Sequence, residues 1–125
     1  MNVTKRILIT EDQETERIAL REILRSESGW EITETKDGQE ALDLLCDGLR
    51  PDVCLIDLRM PKVDGLQMLQ RMRRDPLLRD IKVIITDGKE LRVAGVDELI
   101  PFAYVSGFVK GAYPHLLSKD ANKDN

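Results

Sequence analysis

The sequence predicts an α/β fold built on a parallel sheet that carries helices on both faces. Short apolar runs alternate along the chain with longer segments whose apolar residues recur at helical spacing. Two of the runs, "VCLI" and "VII", are unbroken, which is typical of central strands covered on both faces. Strands that alternate with helices are joined by right-handed crossovers and therefore lie parallel in one sheet.

The length and composition predict one soluble domain. The chain has 125 residues, of which 42% are hydrophobic and 34% charged, with a formal net charge of -4. This length is sufficient for one packed core, and the lack of a basic excess argues against direct nucleic-acid binding. No apolar run approaches the ~20 residues that cross a bilayer, and acids follow the N-terminal strand too early for a signal peptide. We expect a cytoplasmic protein without a membrane partner.

The first half of the chain holds two predicted strands and two predicted helices. The strand Arg6–Thr10 precedes a helix in "ETERIALREILRSE", which Gly29 can close. The residues expected to form the inward stripe of this helix are Ile18, Ala19, Ile23 and Leu24. A less buried strand, "WEITET", comes next, followed by a helix in "DGQEALDLLCDG" with Gly48 after its end. The inward residues of this second helix are expected to be Ala41, Leu44 and Leu45.

The third and fourth strands are "DVCLID" and "IKVIIT", with a helix between them. That helix begins at about Gly65 and stops before Pro76, because proline lacks an amide donor and crowds the preceding turn.

Beyond Thr86 the pattern is less regular, and atypical fourth and fifth helices are expected. Glycines and a proline divide the segment that should hold the fourth helix, so a helix over Val96 to Ile100 and a short helix after Pro101 are both possible. The fifth strand is "FVK", and the last helix is expected around His115 to Lys119.

Polar side chains lie at the carboxyl ends of four of the predicted strands. Glu11 and Asp12 follow the first strand, Asp57 ends the third, Thr86 ends the fourth and Lys110 ends the fifth. Because the carboxyl ends of parallel strands emerge along one edge of a sheet, these side chains are expected to share one cleft.

Three carboxylates in one cleft repel each other and raise each other's pKa unless a cation lies between them. Mg²⁺ prefers oxygen ligands and keeps positions for water and phosphate oxygens. The turn formed by Pro61 and Gly65 should bring a main-chain carbonyl back toward the cation. The predicted ligands are the carboxylates of Glu11, Asp12 and Asp57 and the backbone carbonyl of Arg59.

The remaining groups of the cleft suit a phosphoryl group. Lys110 supplies a point positive charge and Thr86 a hydroxyl donor. A carboxylate nucleophile beside Mg²⁺, a lysine and a hydroxyl is the chemistry of an aspartyl phosphate. Asp57 is therefore the predicted phosphoacceptor.

Four segments of the chain resemble the receiver domain of two-component response regulators, in its stand-alone, CheY-like form. "ITEDQ" is similar to the acidic-pair motif, "LIDLRMPKVDG" to the phosphoacceptor motif, "VIIT" to the hydroxyl motif and "FVK" to the lysine motif. The resemblance implies a flavodoxin-like, doubly wound sheet of five parallel strands in the order 2-1-3-4-5. On this basis residues 1–119 are assigned to the receiver domain, and residues 120–125 to a polar, disordered tail.

The resemblance also implies a function. It implies Mg²⁺-dependent phosphoryl transfer to Asp57 from a sensor histidine kinase or a histidine phosphotransfer protein, with slow self-dephosphorylation rather than enzymatic turnover. The output would be a phosphorylation-dependent surface that binds a downstream protein.

The chain departs from the family's pattern at three positions. Asp87 stands where the family usually has a small residue, and its carboxylate either repels a phosphodonor or caps the next helix. Gly111 follows Lys110 in place of the usual proline. Phe108 lies two rather than three residues before the lysine, which favours a core position over the role of a switch aromatic.

Two other functions were compared with this one. Asp87 and Gly111 would suit a pseudo-receiver, a receiver fold that binds partners without phosphorylation. A Mg²⁺-dependent phosphatase with an aspartate nucleophile usually needs a second acid two residues after the nucleophile, where this chain has Arg59.

The two cysteines, Cys46 and Cys54, lack metal-ligand spacing and the density of a disulfide framework. Both are expected to be buried free thiols, because their neighbours in the sequence are apolar.

Overall fold

The computed structural model describes residues 5–25, 30–87, 90–93 and 99–101. The strands are β1 (Lys5–Thr10), β2 (Trp30–Thr35), β3 (Val53–Asp57), β4 (Lys82–Asp87), β5 (Glu90–Val93) and β6 (Leu99–Pro101). The helices are α1 (Glu14–Arg25), α2 (Gly38–Cys46) and α3 (Gly65–Arg74). As far as β4, this is the predicted alternation of strands and helices. Within the described ranges, no helix combines the length and apolarity required to span a bilayer.

The first four strands pair in parallel in the order β2-β1-β3-β4. The register of β3 and β4 sets Asp57 opposite Thr86, and that of β1 and β3 sets Thr10 opposite Ile56. The predicted fold class is confirmed, and so is the predicted order of these strands. Their carboxyl ends consequently lie side by side.

The sheet is covered on both faces, as expected. On one face the strands contribute Leu8, Cys54, Ile56, Val83 and Ile85 to a buried cluster with residues of α2 and α3. The alternate residues of the same strands are also buried and point to the opposite face, where α1 contacts β1 and β2; they include Ile7, Ile9, Leu55 and Ile84. Burial on both sides explains why these strands are unbroken apolar runs.

The predicted inward stripe of α1 is partly wrong. The buried residues of this helix are Leu20 and Leu24, whereas Ile18 is 38% exposed and Ala19 is also exposed. The helix instead turns Leu20 and Leu24 toward the sheet, because burial of two leucines outweighs partly exposed ion pairs, and in this orientation Arg17 and Arg21 both reach Glu34 on β2. Charged residues with long aliphatic stems thus take part of the face that was predicted to be apolar.

The other two helices begin at side-chain caps. Asp37 accepts a hydrogen bond from the Glu40 amide at 2.8 Å and starts α2. Asp64 accepts from the Gln67 amide at 2.9 Å, and the Gln67 side chain accepts from the Asp64 amide at 3.0 Å, which is a complete capping box for α3. The bounds of α3 agree with the prediction that it begins at about Gly65 and stops before Pro76.

The cysteines have different environments. Cys54 on β3 is buried and Cys46 is exposed, so the prediction is correct for the first and wrong for the second. Cys46 follows the buried Leu45 on α2, and adjacent helical residues point about 100° apart. On a helix, apolar neighbours in the sequence therefore do not predict that a residue such as Cys46 is buried.

Beyond β4 the chain departs from the prediction. The position next to β4 is taken by β5, which pairs antiparallel and sets Asp87 opposite Glu90, and β6 then pairs antiparallel with β5. The predicted helix over Val96 to Ile100 is therefore wrong for Leu99 and Ile100, which belong to β6. The register leaves two residues between β4 and β5, and the period-two pattern of "ELRV" suits a strand.

Several predictions fall outside the described residues. These are the alternative helix after Pro101, the fifth strand Phe108–Lys110, the helix around His115 to Lys119 and the tail at 120–125.

Candidate functional site

Three carboxylates converge at the carboxyl ends of β1 and β3. Glu11 and Asp12 directly follow β1, and Asp57 is the last residue of β3. One carboxylate oxygen from each residue lies within 4.8 Å of the other two. The pairing of β1 with β3 produces this arrangement, because both strands end at the same edge of the sheet. The three acids that the sequence places in one cleft are therefore together in the structure.

Two members of the cluster, Glu11 and Asp57, are poorly solvated, and burial shifts the pKa of each carboxyl group. Glu11 is 3% exposed and Asp57 is 9% exposed. Burial, with further contributions from the hydrogen-bonded Asp57 carboxylate, raises the pKa of Glu11 to about 8. Burial also raises the pKa of Asp57, although its hydrogen bond with Glu11 acts in the opposite direction. Burial therefore favours the protonated form of Glu11 in the metal-free protein, in which its hydroxyl can donate a hydrogen bond to the Asp57 carboxylate.

Asp12 indicates that the cluster is suited to a cation. Its Oδ1 atom is buried and has no hydrogen-bond partner within the described part of the chain. A carboxylate oxygen removed from water without a partner is destabilising, and a bound cation would satisfy it. The donors in the cluster are all carboxylate oxygens, which Mg²⁺ prefers over nitrogen or sulfur ligands. The residues present therefore fit Mg²⁺.

The loop after β3 holds Asp57 in place through its main chain. The Arg59 amide donates to Oδ1 of Asp57 at 3.2 Å, while the Leu58 amide donates to the Thr86 carbonyl at 2.9 Å. The Gly65 amide then donates to the Leu58 carbonyl at 3.2 Å, which brings the start of α3 against the end of β3. A Cβ atom on Gly65 would lie 2.5 Å from the Asp57 carbonyl oxygen, so this close approach requires glycine.

The predicted phosphoryl-binding residues differ in how far the structure describes them. Thr86 is 3% exposed and lies directly opposite Asp57, so the two side chains share one face of the sheet. Lys110, Phe108 and Gly111 fall outside the described residues, and so does the side chain of Asp87. Their predicted roles are therefore not tested by the fold.

Sequence reasoning missed one residue that contacts this region. Arg17, in the second turn of α1, donates from Nη1 to the main-chain carbonyl of Glu11 at 2.9 Å. Its Nε atom lies 3.4 Å from Oε1 of Glu34 on β2, and its side chain is only 11% exposed. An arginine near the start of the helix that follows an acidic pair is the signal that could have found it.

Comparison with known proteins places these features in one family. Residues 7–98 match the family model described as the response regulator receiver domain. A curated relative, the polar-differentiation response regulator DivK of Brucella ovis, is 38% identical over 82 residues, which are 66% of this chain and 65% of DivK. The matched segment thus spans slightly less than two thirds of that relative.

Two solved structures resemble the chain over a similar extent. The Mn²⁺-bound form of response regulator Rcp1 is 29% identical, with a TM-score of 0.63 over 66% of this chain and 65% of that one. The phosphorylated cyanobacterial phytochrome response regulator RcpA is 30% identical, with a TM-score of 0.64 over 68% of this chain and 66% of that one.

Proposed function

We propose that this chain, which belongs to the family of response regulator receiver domains, accepts a phosphoryl group on Asp57 in a Mg²⁺-dependent reaction and signals by binding another protein. The observation that supports this most directly is the convergence of Glu11, Asp12 and Asp57 within 4.8 Å, with a buried Asp12 oxygen that lacks a donor among the described residues. A structural acid cluster would instead be expected to satisfy its buried oxygens internally.

The residues that would hold Mg²⁺ are Glu11, Asp12, Asp57 and the backbone carbonyl of Arg59. When bound, the cation supplies positive charge that neutralises the carboxylates and the phosphoryl oxygens of the donor. Mn²⁺ occupies the related Rcp1, and a divalent site in this chain would be consistent with that.

The chemistry of transfer is assigned to Asp57. One of its carboxylate oxygens attacks phosphorus, so that an O–P bond forms while the bond from phosphorus to the donor's leaving group breaks. The Arg59 amide, 3.2 Å from Oδ1, limits rotation of the carboxylate. Thr86, opposite Asp57 on β4, would donate its hydroxyl to a phosphoryl oxygen, and Lys110 would pair with the same group.

The donor is a sensor histidine kinase or a histidine phosphotransfer protein, and the output is a downstream protein. RcpA, which is similar to this chain, is described in its phosphorylated form. The domain signals rather than turning over a substrate, and self-dephosphorylation would be slow. The protein would act in the cytoplasm, as expected from the sequence.

Acetyl phosphate with Mg²⁺ tests this proposal, with intact mass as the readout. Wild type should gain one phosphoryl group, and Asp57→Asn should gain none, because the amide keeps the shape of the side chain but loses the nucleophile. Asp47→Asn, at an exposed acid after α2, is the matched control and should be modified like wild type. Chelation of Mg²⁺ with EDTA should prevent modification of wild type and of Asp47→Asn.

Three outcomes would contradict the proposal. A phosphoryl group on Asp57→Asn would place the acceptor elsewhere. A wild type that stays unmodified even with a competent kinase, yet still binds a partner, would favour the pseudo-receiver. Continuous hydrolysis of a generic phosphate ester would favour the phosphatase, in spite of Arg59 at its second-acid position.

A further inference from the structure

The main chain of Glu11 is held on two sides. Its amide donates to the Thr35 carbonyl of β2 at 3.1 Å, which extends the pairing of β1 with β2 by one residue. Its carbonyl accepts from Nη1 of Arg17 at 2.9 Å. That carbonyl belongs to the peptide that joins Glu11 to Asp12. The orientation of this peptide sets the direction in which both side chains leave the main chain.

Arg17 is itself fixed in place. Its Nε atom lies 3.4 Å from Oε1 of Glu34, and with 11% exposure its side chain has little freedom to move. Glu34 is held in turn by Arg21, whose Nη1 lies 3.2 Å from Oε2 of Glu34. The planar guanidinium of Arg17 can reach a carbonyl and a carboxylate together because its donors diverge in a rigid fork.

We propose that Arg17 is a positioning residue that fixes the peptide between Glu11 and Asp12, so that both carboxylates converge with Asp57 on a divalent cation. The inference rests on the proposed function, because it takes these three acids as the ligands. Mg²⁺ demands near-ideal octahedral geometry, so rotation of this peptide would separate ligands that must lie close together. Arg17 acts through the backbone and does not touch the cation.

The chain offers a close control for this role. Arg17 and Arg21 lie one turn apart on α1 and both pair with Glu34, but the recorded hydrogen bond to Glu11 comes from Arg17. Arg17→Ala and Arg21→Ala therefore each remove one positive charge and one ion pair with Glu34, and Arg21→Ala also removes the exposed ion pair of Arg21 with Glu22. A loss of metal affinity that appears in Arg17→Ala and not in Arg21→Ala therefore reports the contact with the Glu11 carbonyl.

The first measurement is the Mg²⁺ Kd by calorimetry at one fixed pH, for wild type and both variants. Groups that orient metal ligands typically change affinity by 10-fold to 100-fold, so the Arg17→Ala Kd is expected to rise about tenfold. The Arg21→Ala Kd should stay within about twofold of wild type, since partly exposed ion pairs contribute little. Arg17→Lys keeps the charge but lacks the diverging guanidinium donors, so its Mg²⁺ Kd should lie between those of wild type and Arg17→Ala. It replaces Arg17→Ala as the test if that variant does not fold.

A second measurement needs no metal. The ¹³C chemical shift of the Glu11 carbonyl responds to its hydrogen bond, so it should change in Arg17→Ala and not in Arg21→Ala. A Kd equal to that of wild type in the Arg17 variants would overturn the proposal, and so would equal weakening by Arg21→Ala. If wild type binds no Mg²⁺, the proposed function fails instead. In that case an unchanged carbonyl shift would also reject the positioning of the peptide by Arg17.

Discussion

Replacing Glu11 with glutamine should remove a large pH dependence from the stability of the metal-free protein. Burial, together with Asp57, raises the pKa of Glu11 from an ordinary 4.5 to about 8. A carboxyl group that binds its proton more tightly in the folded state stabilises the fold fully below pH 4.5, and this contribution is lost as the pH rises through about 8. The amide can accept from the Gln13 amide and donate to Asp57, as protonated Glu11 does, but it never ionises.

The magnitude follows from the interval between the two pKa values of Glu11. Each pH unit corresponds to about 1.4 kcal/mol, so the interval from 4.5 to about 8 amounts to at most on the order of 5 kcal/mol. Water entry and side-chain rearrangement would reduce this value. The effect is nevertheless large for a domain whose total stability is about 5–15 kcal/mol.

Urea unfolding followed by circular dichroism, in EDTA, tests this prediction. The free energy of unfolding of Glu11→Gln should equal that of wild type near pH 4.5 and exceed it by several kcal/mol above pH 8. The control is Glu22→Gln, at an exposed glutamate of α1, and its difference from wild type should depend little on pH. A difference between Glu11→Gln and wild type that stays constant with pH would refute the reasoning.

Three further predictions concern the metal site, the loop after β3 and the two thiols. The Mg²⁺ affinity should fall about tenfold per pH unit below about 8, because Glu11 must release its proton to bind the cation; calorimetry in two buffers would count that proton. Gly65→Ala should lower the free energy of unfolding by about 1–3 kcal/mol and slow phosphorylation, because the new Cβ would contact the end of β3. Gly48→Ala is the control: its φ of 111° should lower the free energy of unfolding by about 1 kcal/mol and leave phosphorylation unchanged. A thiol reagent should label exposed Cys46 quickly and Cys54 slowly, because burial raises the pKa of Cys54 to about 12.

Each of these predictions has a result that would contradict it. A Mg²⁺ affinity independent of pH would show that Glu11 is already ionised or is not a ligand. Equal phosphorylation rates in the two glycine variants would show that the contact between Gly65 and the end of β3 does not position Asp57. Mass spectrometry of the labelled peptides would give the rate for each thiol, and similar rates would contradict the burial of Cys54.

The sequence predicted most of the parallel sheet because the signal there is strong. The unbroken runs around Leu55 and Ile84 come from burial on both faces, and the alternating helices leave few ways to connect such strands. The acids at the strand ends could be predicted to meet for the same reason. Once β1 and β3 are parallel neighbours, Asp12 and Asp57 must emerge at the same edge of the sheet.

The remaining features depend on contacts that a local pattern does not encode. The orientation of α1 is set by the burial of Leu20 and Leu24, and the same orientation brings Arg17 and Arg21 to Glu34 on a separate strand. The hydrogen bond from Arg17 to the Glu11 carbonyl depends on that orientation. After β4, glycines favoured a divided helix, but strand pairing with β4 determines the conformation of Glu90–Val93. Tertiary contacts override local propensity in both regions.

The central claim is tested most directly by locating the phosphoryl group. After incubation with acetyl phosphate and Mg²⁺, borohydride converts an aspartyl phosphate to homoserine, and tandem mass spectrometry of the peptides then identifies the residue that was modified. We expect homoserine at position 57 of wild type, and none in the protein treated with EDTA or in Asp57→Asn. Homoserine at position 12, or at any aspartate other than 57, would contradict the assignment of Asp57 as the acceptor.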